Sequence, residues 1–381
     1  MLLYPSIMRL SAVFVLLCGL VTAAGQSARQ VAEDADAHMR KGVDAQQHGD
    51  LTTAIEEYRK ALVIRPRFPE ARANLGAALA AVGDFDAAIR EDRLAMENAP
   101  DKIAVRKNLA LAYYKKGDCD HASAEFEAVH AARPNDLSAT MLLGYCDLKL
   151  NRAQKAVALL GPLEQANENN MDFQYVLGSA QIEAGKQAEG CSRMERVAQT
   201  TRSAEAYVIA GTARLGLRQF KEARSDLDAA LGLDTKIPGL YTMAGQARDA
   251  LGDTEAAQAA FEAALRADAR DATANLYLGA ILLKKREVER AQPFLDLALQ
   301  LQPENRQARL QMAKLDAMQG KNAEAVALLE GLEKADPNWL EPHVELAPLY
   351  YKLHRAEDGQ RERKLVEDIQ AKQQQAGPAN Q

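Results

Sequence analysis

The side chains of this protein that could carry out chemistry are few and scattered. Six histidines are present (His38, His48, His121, His130, His343 and His354), and none falls at a metal-ligand spacing; the HExxH arrangement that sets two imidazoles on one helix face is absent. The stretch GSAQIEAGK, residues 178–186, has the outline of a phosphate-binding loop. Its glycines, Gly178 and Gly185, are separated by six residues where such a loop has four, and Gln187 stands where a Ser or Thr would reach a magnesium ion. No GxSxG nucleophile turn occurs. The carboxylates are spread as they would be on solvated helix faces, with bases at i,i+4. These residues point to no catalytic group, no metal and no cofactor, and so away from an enzyme.

The chain of 381 residues has a formal net charge of −6, which argues against general nucleic-acid binding, where basic stripes are needed. Alanine and leucine dominate, aromatics make up 5%, and there is one Trp, a composition that favours helices. Arg9 precedes LSAVFVLLCGLVTAAG, an apolar run shorter than the roughly 20 residues of a spanning helix. Positive charge, apolar run and small-residue exit read as a secretory signal over residues 1–24, cleaved near Ala23, Ala24 or Gly25 and followed by a linker over 25–34. An uncleaved anchor is the alternative. Cleavage makes the chain an exported one, periplasmic or secreted, and removes Cys18. Cys119, Cys146 and Cys191 remain, an odd set that cannot be fully paired. The chain has no Asn-x-Ser/Thr acceptor, which favours a bacterial envelope over a glycosylating pathway, and no later segment could span a membrane.

The elements that would position a site show themselves by repetition. Pro66, Pro100 and Pro134 are spaced by 34 residues, as are Pro303 and Pro337. With these at position 32, repeats begin at Ala35, Pro69, Ile103, Leu137 and Met171 and, one residue early, at Ala204, Pro238, Ala272, Arg306 and Leu340. Positions 8 and 20 are Gly or Ala in every repeat, as in Gly42 and Ala54 or Gly245 and Ala257. Two helices can cross closely only where neither carries bulk. Between them lie turn glycines, Gly49, Gly83, Gly117, Gly185, Gly252 and Gly320, suited to the left-handed residue that ends a helix. Asp50, Asp84, Asp118 and Asp253 follow and can cap the next helix. Position 24 is large and apolar in eight of ten repeats, including Tyr58, Phe126 and Phe261.

This pattern resembles the tetratricopeptide repeat, with small residues at 8 and 20, often at 27, a large apolar residue at 24 and Pro at 32, over residues 35–373. The family's Trp at position 4 is absent throughout. The resemblance implies an all-α class and an α-solenoid: a right-handed superhelix of about ten helix-turn-helix repeats whose stacked copies bury what one hairpin cannot. Repeats 1–4 then occupy 35–170, an irregular repeat 5 occupies 171–203, repeats 6–10 with a polar capping helix occupy 204–373, and 374–381 is a disordered tail. The segment 161–203, with Gly161-Pro162 and Gly190, is expected to be either a weak joint between lobes or a packed, bent repeat.

In this family the concave groove is lined by positions 2, 5, 6, 9, 12 and 13. Lys107 and Asn108 fit positions 5 and 6 of repeat 3, but no repeat has Asn at position 9, so the family's clamp for a C-terminal carboxylate is not present in its usual form. Repeats 3 to 6 present Leu111, Tyr114, Met141, Tyr145, Leu148, Tyr175, Ile182, Val208 and Leu215, with Lys107, Lys115 and Lys149 at the margin. An apolar groove with a basic edge suits a peptide with an apolar face and acidic residues; mutual packing of these side chains is the other account. The family's stacking also brings position 17 of repeat 3, Cys119, near position 10 of repeat 4, Cys146. In an oxidising compartment this implies a Cys119–Cys146 disulfide with Cys191 free and buried, against three packed thiols. The expected function is a non-catalytic protein–protein interaction scaffold of the cell envelope, with a protein or peptide partner and neither nucleic acid nor a membrane span. An accessory role in polysaccharide synthesis or export, and an enzyme with an unrecognised site, are the alternatives. The sequence carries no indication of oligomeric state.

Overall fold

The computed structural model describes residues 30–375. The expected signal peptide, the first part of the linker and most of the tail lie outside the described residues. Those residues are all-helical, with no strand among them. The chain divides into two compact units, one ending at Lys186 and one starting at Gln187.

The first unit contains α1 (30–47), α2 (Leu51–Ile64), α3 (Pro69–Ala81), α4 (Phe85–Asn98), α5 (Lys102–Lys116), α6 (Cys119–Ala132), α7 (Leu137–Lys149), α8 (Ala153–Leu160) and α9 (Met171–Glu183). The second contains α10 (Gln187–Thr201), α11 (Ala204–Gly216), α12 (Phe220–Leu233), α13 (Leu240–Ala250), α14 (Thr254–Ala267), α15 (Ala272–Lys284), α16 (Val288–Leu301), α17 (Arg306–Met318), α18 (Asn322–Ala335), α19 (Leu340–Lys352) and α20 (Ala356–Gln375). Within each unit every helix packs on the next, and alternate helices such as α3 and α5 or α15 and α17 also touch. This is an α-solenoid of helix pairs.

The turn inside each pair has one backbone signature. The six turn glycines all have positive φ, from 79° at Gly252 to 88° at Gly83. The four repeats without glycine reach the same conformation with Asn151 (57°), Arg218 (60°), Arg286 (60°) and His354 (61°). A side chain there holds its Cβ close to the backbone carbonyl, which costs about 1–2 kcal/mol. Arg286 is exposed, so replacing it removes this strain and little else. Arg286→Gly is therefore expected to stabilise the chain by about 1 kcal/mol in a urea melt, less the entropy cost of glycine. A loss of stability would show that the turn is held by the arginine itself. The capping aspartates act as expected: Asp50 accepts the Thr53 amide at 3.0 Å, Asp84 that of Ala87 at 3.1 Å, Asp118 that of His121 at 3.2 Å and Asp253 that of Ala256 at 3.2 Å.

The core is built by dropping position 24 onto position 8. A Cβ placed on Gly42 would lie 2.6 Å from the Tyr58 ring, on Gly245 2.6 Å from the Phe261 ring, and on Gly279 2.6 Å from Leu295. Position 8 is small because a ring or a leucine lies over it. Two repeats depart from the rule: Arg363 stands at position 24 of repeat 10, and in repeat 2 Gly76 lies under Asp92, whose carboxyl group is buried and has no hydrogen-bond partner among the described residues.

In place of the absent Trp, position 4 holds Tyr207 and Tyr241 in repeats 6 and 7 and a non-aromatic polar residue or histidine in the other eight. Arg72 donates to the Pro66 carbonyl at 3.1 Å, Asn275 to that of Ala269 at 3.1 Å and Arg309 to that of Pro303 at 2.8 Å; His343 Nε2 lies 3.0 Å from the Pro337 carbonyl. Each ties a helix to the turn before it and satisfies a carbonyl that the helix ladder leaves open. The same position pairs with the carboxylate at position 23 in His38–Glu57 (2.7 Å), Arg72–Glu91 (2.7 Å), Arg106–Glu125 (3.3 Å) and His343–Glu362 (2.7 Å).

The irregularity near residue 161 sits in repeat 4. Its second helix, α8, stops at Leu160, and two single 3-10 turns, Gly161–Leu163 and Gln165–Asn167, follow. Pro162 lacks an amide hydrogen and cannot continue the α-helix. The second helix of repeat 5, α10, runs a full 15 residues.

Candidate partner-binding face

The sequence-expected groove residues divide between the two units. Lys107, Asn108, Leu111 and Tyr114 lie on α5; Met141, Tyr145, Leu148 and Lys149 on α7; Tyr175 and Ile182 on α9. Val208 and Leu215 lie on α11 in the second unit, where they pack half-buried against the core around Leu227 and Leu240. Leu111 and Tyr114 pack half-buried on the core that includes Leu109 and Cys146; Met141 and Tyr145 do so on the core around Leu160 and Leu177, to which the buried Leu148 belongs. Tyr175 and Ile182 are half-buried. The large apolar side chains that are most exposed, such as Val63 at 82%, lie elsewhere. Most of the apolar residues of the expected groove are thus partly core, and what faces outward is their edge.

Of the three margin lysines, Lys115 and Lys149 are exposed and Lys107 is not. Lys107 is not a free rim charge: its ammonium bonds both carboxylate oxygens of Asp136, at 2.9 and 2.7 Å. Asp136 also caps α7 through the Ala139 amide at 3.1 Å. Burial works against the charge on Asp136, but these bonds outweigh it and hold the carboxyl below its usual range. Lys149 is exposed and stands 5.3 Å from the Tyr145 ring centroid, a cation over a π face.

Tyr145 in turn meets Tyr114 edge to face, with ring centroids 5.6 Å apart at 81°. Around this pair lies a concavity of about 590 Å³, lined by Tyr114, Lys115, Asp118, Cys119, Tyr145 and Lys149 among others. Its lip is the α5–α6 turn: Gly117 reverses the chain and Asp118 caps α6, leaving Cys119 as the first helical residue. Burial and the neighbouring Tyr145 and thiols push the Tyr114 hydroxyl up. A smaller concavity of about 210 Å³ lies between α3 and α5, with Asn74 and Asn108 from position 6 of successive repeats in its wall.

Cys119 and Cys146 are both free thiols here, on the packed helices α6 and α7 and in one core cluster. Burial, and then the contact with Cys119 and the Asp147 charge, push the Cys146 thiol far up. Cys191 is a separate buried thiol 3.8 Å from the Ala210 carbonyl. Sequence spacing missed one cluster: Glu333, His343 and Glu362, from α18, α19 and α20, bring three ligand-type atoms within 4.8 Å of one another. His343 is engaged at both nitrogens, by Glu362 at 2.7 Å and the Pro337 carbonyl at 3.0 Å. That is the same position 4 to position 23 pairing seen in repeats 1 to 3, and it accounts for the cluster as packing. No helix among the described residues is long and apolar enough to cross a membrane.

A family model described as "TPR repeat" matches residues 47–83, and models described as "Tetratricopeptide repeat" match 107–161, 242–306 and 282–347. Among solved structures, a tetratricopeptide repeat protein from Parabacteroides merdae is similar at 17% identity, covering 66% of this chain and 99% of its own, with a TM-score of 0.48. Pseudomonas aeruginosa pilF is similar at 20% identity over 55% of this chain and 96% of its own, with a TM-score of 0.49. Yeast Tom70 is similar at 16% identity over 90% of this chain and 97% of its own, with a TM-score of 0.36. No curated protein matches the chain in sequence.

Proposed function

The chain belongs to the tetratricopeptide-repeat family and is a protein–protein interaction scaffold; from that premise we propose that it is a non-catalytic, exported scaffold that holds an extended acidic peptide segment of an envelope protein. The observation that carries the reading is the concavity beside Tyr114 and Tyr145, with exposed Lys115 and Lys149 at its edge. Two tyrosine edges offer apolar area with polar tips, the composition of an interface anchor. Lys115 and Lys149 offer cations to acidic side chains of the segment, while Asp118 and Asp120 line the same wall and are left to pair with its amides or bases. The apolar run from Leu10 to Gly25 supports export.

The test is fluorescence anisotropy with labelled peptides that carry one leucine or phenylalanine between acidic residues, beside basic and neutral versions of the same peptides. The acidic set is expected to bind, and Tyr145→Ala to weaken it about tenfold or more. Lys149→Glu should slow association, most at low salt. A melt of each variant runs alongside. If Tyr145→Ala lowers the melting temperature but leaves affinity per folded molecule unchanged, the tyrosine is core and the reading fails.

A further inference from the structure

Among the described residues, Cys119 and Cys146 are two thiols in one core cluster, and the first of them opens on a surface concavity. Cys119 is the first residue of α6, half-buried, and forms part of the wall of the 590 Å³ concavity. Cys146 is wholly buried on α7, next in sequence to Tyr145. Both cysteines belong to one core cluster, on the packed helices α6 and α7, and Tyr114 packs on the same cluster and feels both thiols. One thiol is reachable from outside and its neighbour is not. That is the arrangement in which an attacking and a resolving thiol work in sequence.

We propose that Cys119 and Cys146 are a dithiol–disulfide couple, closed by a small disulfide that enters the concavity, and that closure changes the affinity of the Tyr114–Tyr145 face for its peptide. The second half of this rests on the peptide-binding reading above; the first does not. The exchange balances without any other reactant. The Cys119 thiolate, its proton released to water, attacks one sulfur of the disulfide RSSR; a mixed disulfide forms and RS⁻ leaves, taking up a proton as RSH. The Cys146 sulfur, losing its proton, then attacks Cys119 Sγ. The intramolecular S–S bond forms and a second RSH departs. Two protein thiols are oxidised by two electrons, and one RSSR is reduced to two RSH.

Closure has a local mechanical result. It removes a thiol donor from the wall of the concavity and draws the first turn of α6 against α7. The Asp118 cap and the Gly117 turn move with it, since both adjoin Cys119. Tyr114, which feels both thiols, and Tyr145, next to Cys146 in sequence and against Tyr114, lose side-chain freedom. A binding face ordered in advance holds its ligand more tightly.

The full chain is incubated with oxidised glutathione and its thiols are alkylated under denaturing, non-reducing conditions. Peptide mapping is expected to show a Cys119–Cys146 cross-link, with Cys191 alkylated. Cys146→Ala should trap glutathione on Cys119, and Cys119→Ser should leave Cys146 unmodified. Finding Cys119, Cys146 and Cys191 all alkylated, or a cross-link through Cys191, overturns the couple. Hydrogen exchange in the same samples should slow in residues 114–123 and 141–150 on oxidation in the wild type and not in Cys119→Ser. The gating half is read by anisotropy with the acidic peptides. The oxidised chain should bind more tightly than the reduced chain by more than about threefold, and the difference should vanish in Cys119→Ser. Equal affinity in the two states, with the cross-link formed, overturns the gating. Failure of every acidic peptide to bind even the reduced chain overturns the peptide reading and the gating with it, while the mapping still decides the couple.

Discussion

Asp92→Leu is expected to stabilise the chain at neutral pH by a few kcal/mol and to remove part of its pH dependence. Asp92 lies where seven of the ten repeats put a ring or a leucine, it is 1% exposed, and neither carboxyl oxygen has a hydrogen-bond partner among the described residues. Burial, and then the charge of Glu91, raise its pKa from 3.8 to about 8. In the unfolded chain the group ionises from about pH 4, while in the folded chain it keeps its proton to about pH 8. Between those limits the folded state holds the extra proton. Stability must then fall as pH rises, by up to about 1.4 kcal/mol per pH unit from this group. Below the window the loss is absent, and above it the loss is complete. Leucine fits the site on the evidence of the chain itself, since Leu160, Leu227 and Leu295 lie over Gly144, Gly211 and Gly279 as Asp92 lies over Gly76. Urea melts of both proteins from pH 4 to 9 give the difference directly. A difference that does not grow with pH would mean that Asp92 is charged and paired in solution.

Phe261→Ala is expected to cost about 3–5 kcal/mol, the usual range for emptying a buried aromatic site. Phe261 is fully buried, fills the space that Gly245 leaves, and stacks on Tyr277 with centroids 5.1 Å apart. Its partners therefore come from α13 and α15. In a repeat array such damage should stay with the neighbours. Hydrogen exchange should rise in α13 to α15 while α19 and α20 keep their protection. An equal rise across the whole second unit would show that it unfolds as one cooperative body.

Much of this architecture can be read from the sequence, because repetition turns weak local signals into strong ones. A single Gly-Asp is a common turn; Gly49-Asp50, Gly83-Asp84 and Gly117-Asp118 at equal spacing define a register, and the helices start and stop on it. What escaped the reading lacked a residue-type signature. Arg218 and Arg286 occupy a left-handed turn that arginine does not advertise. The polar residues at position 4 differ in kind, and only their common acceptor, the carbonyl of the preceding turn, unites them. Lys107 looked like a rim charge because Asp136 is 29 residues away in sequence. The groove was the least legible part. Tyr114, Met141 and Tyr145 belong to the helix face the register assigns, but how much of each faces outward depends on packing between helices, and that is a property of three dimensions. The cluster of Glu333, His343 and Glu362 escaped for the same reason.

The replacement of Trp by Arg, Asn and His at position 4 also bears on how the protein responds to temperature. A tryptophan joint is held by apolar burial, which weakens on cooling and gives unfolding a large heat-capacity increment. In repeats 2, 8, 9 and 10 hydrogen bonds to turn carbonyls stand where those indoles would be, and buried alanines such as Ala54, Ala88 and Ala122 line the helix crossings. Polar groups lower the heat-capacity increment when they are exposed, whereas apolar groups raise it. Those four joints are therefore expected to add less to the heat-capacity increment than indole-filled ones would, and to lose less strength in the cold.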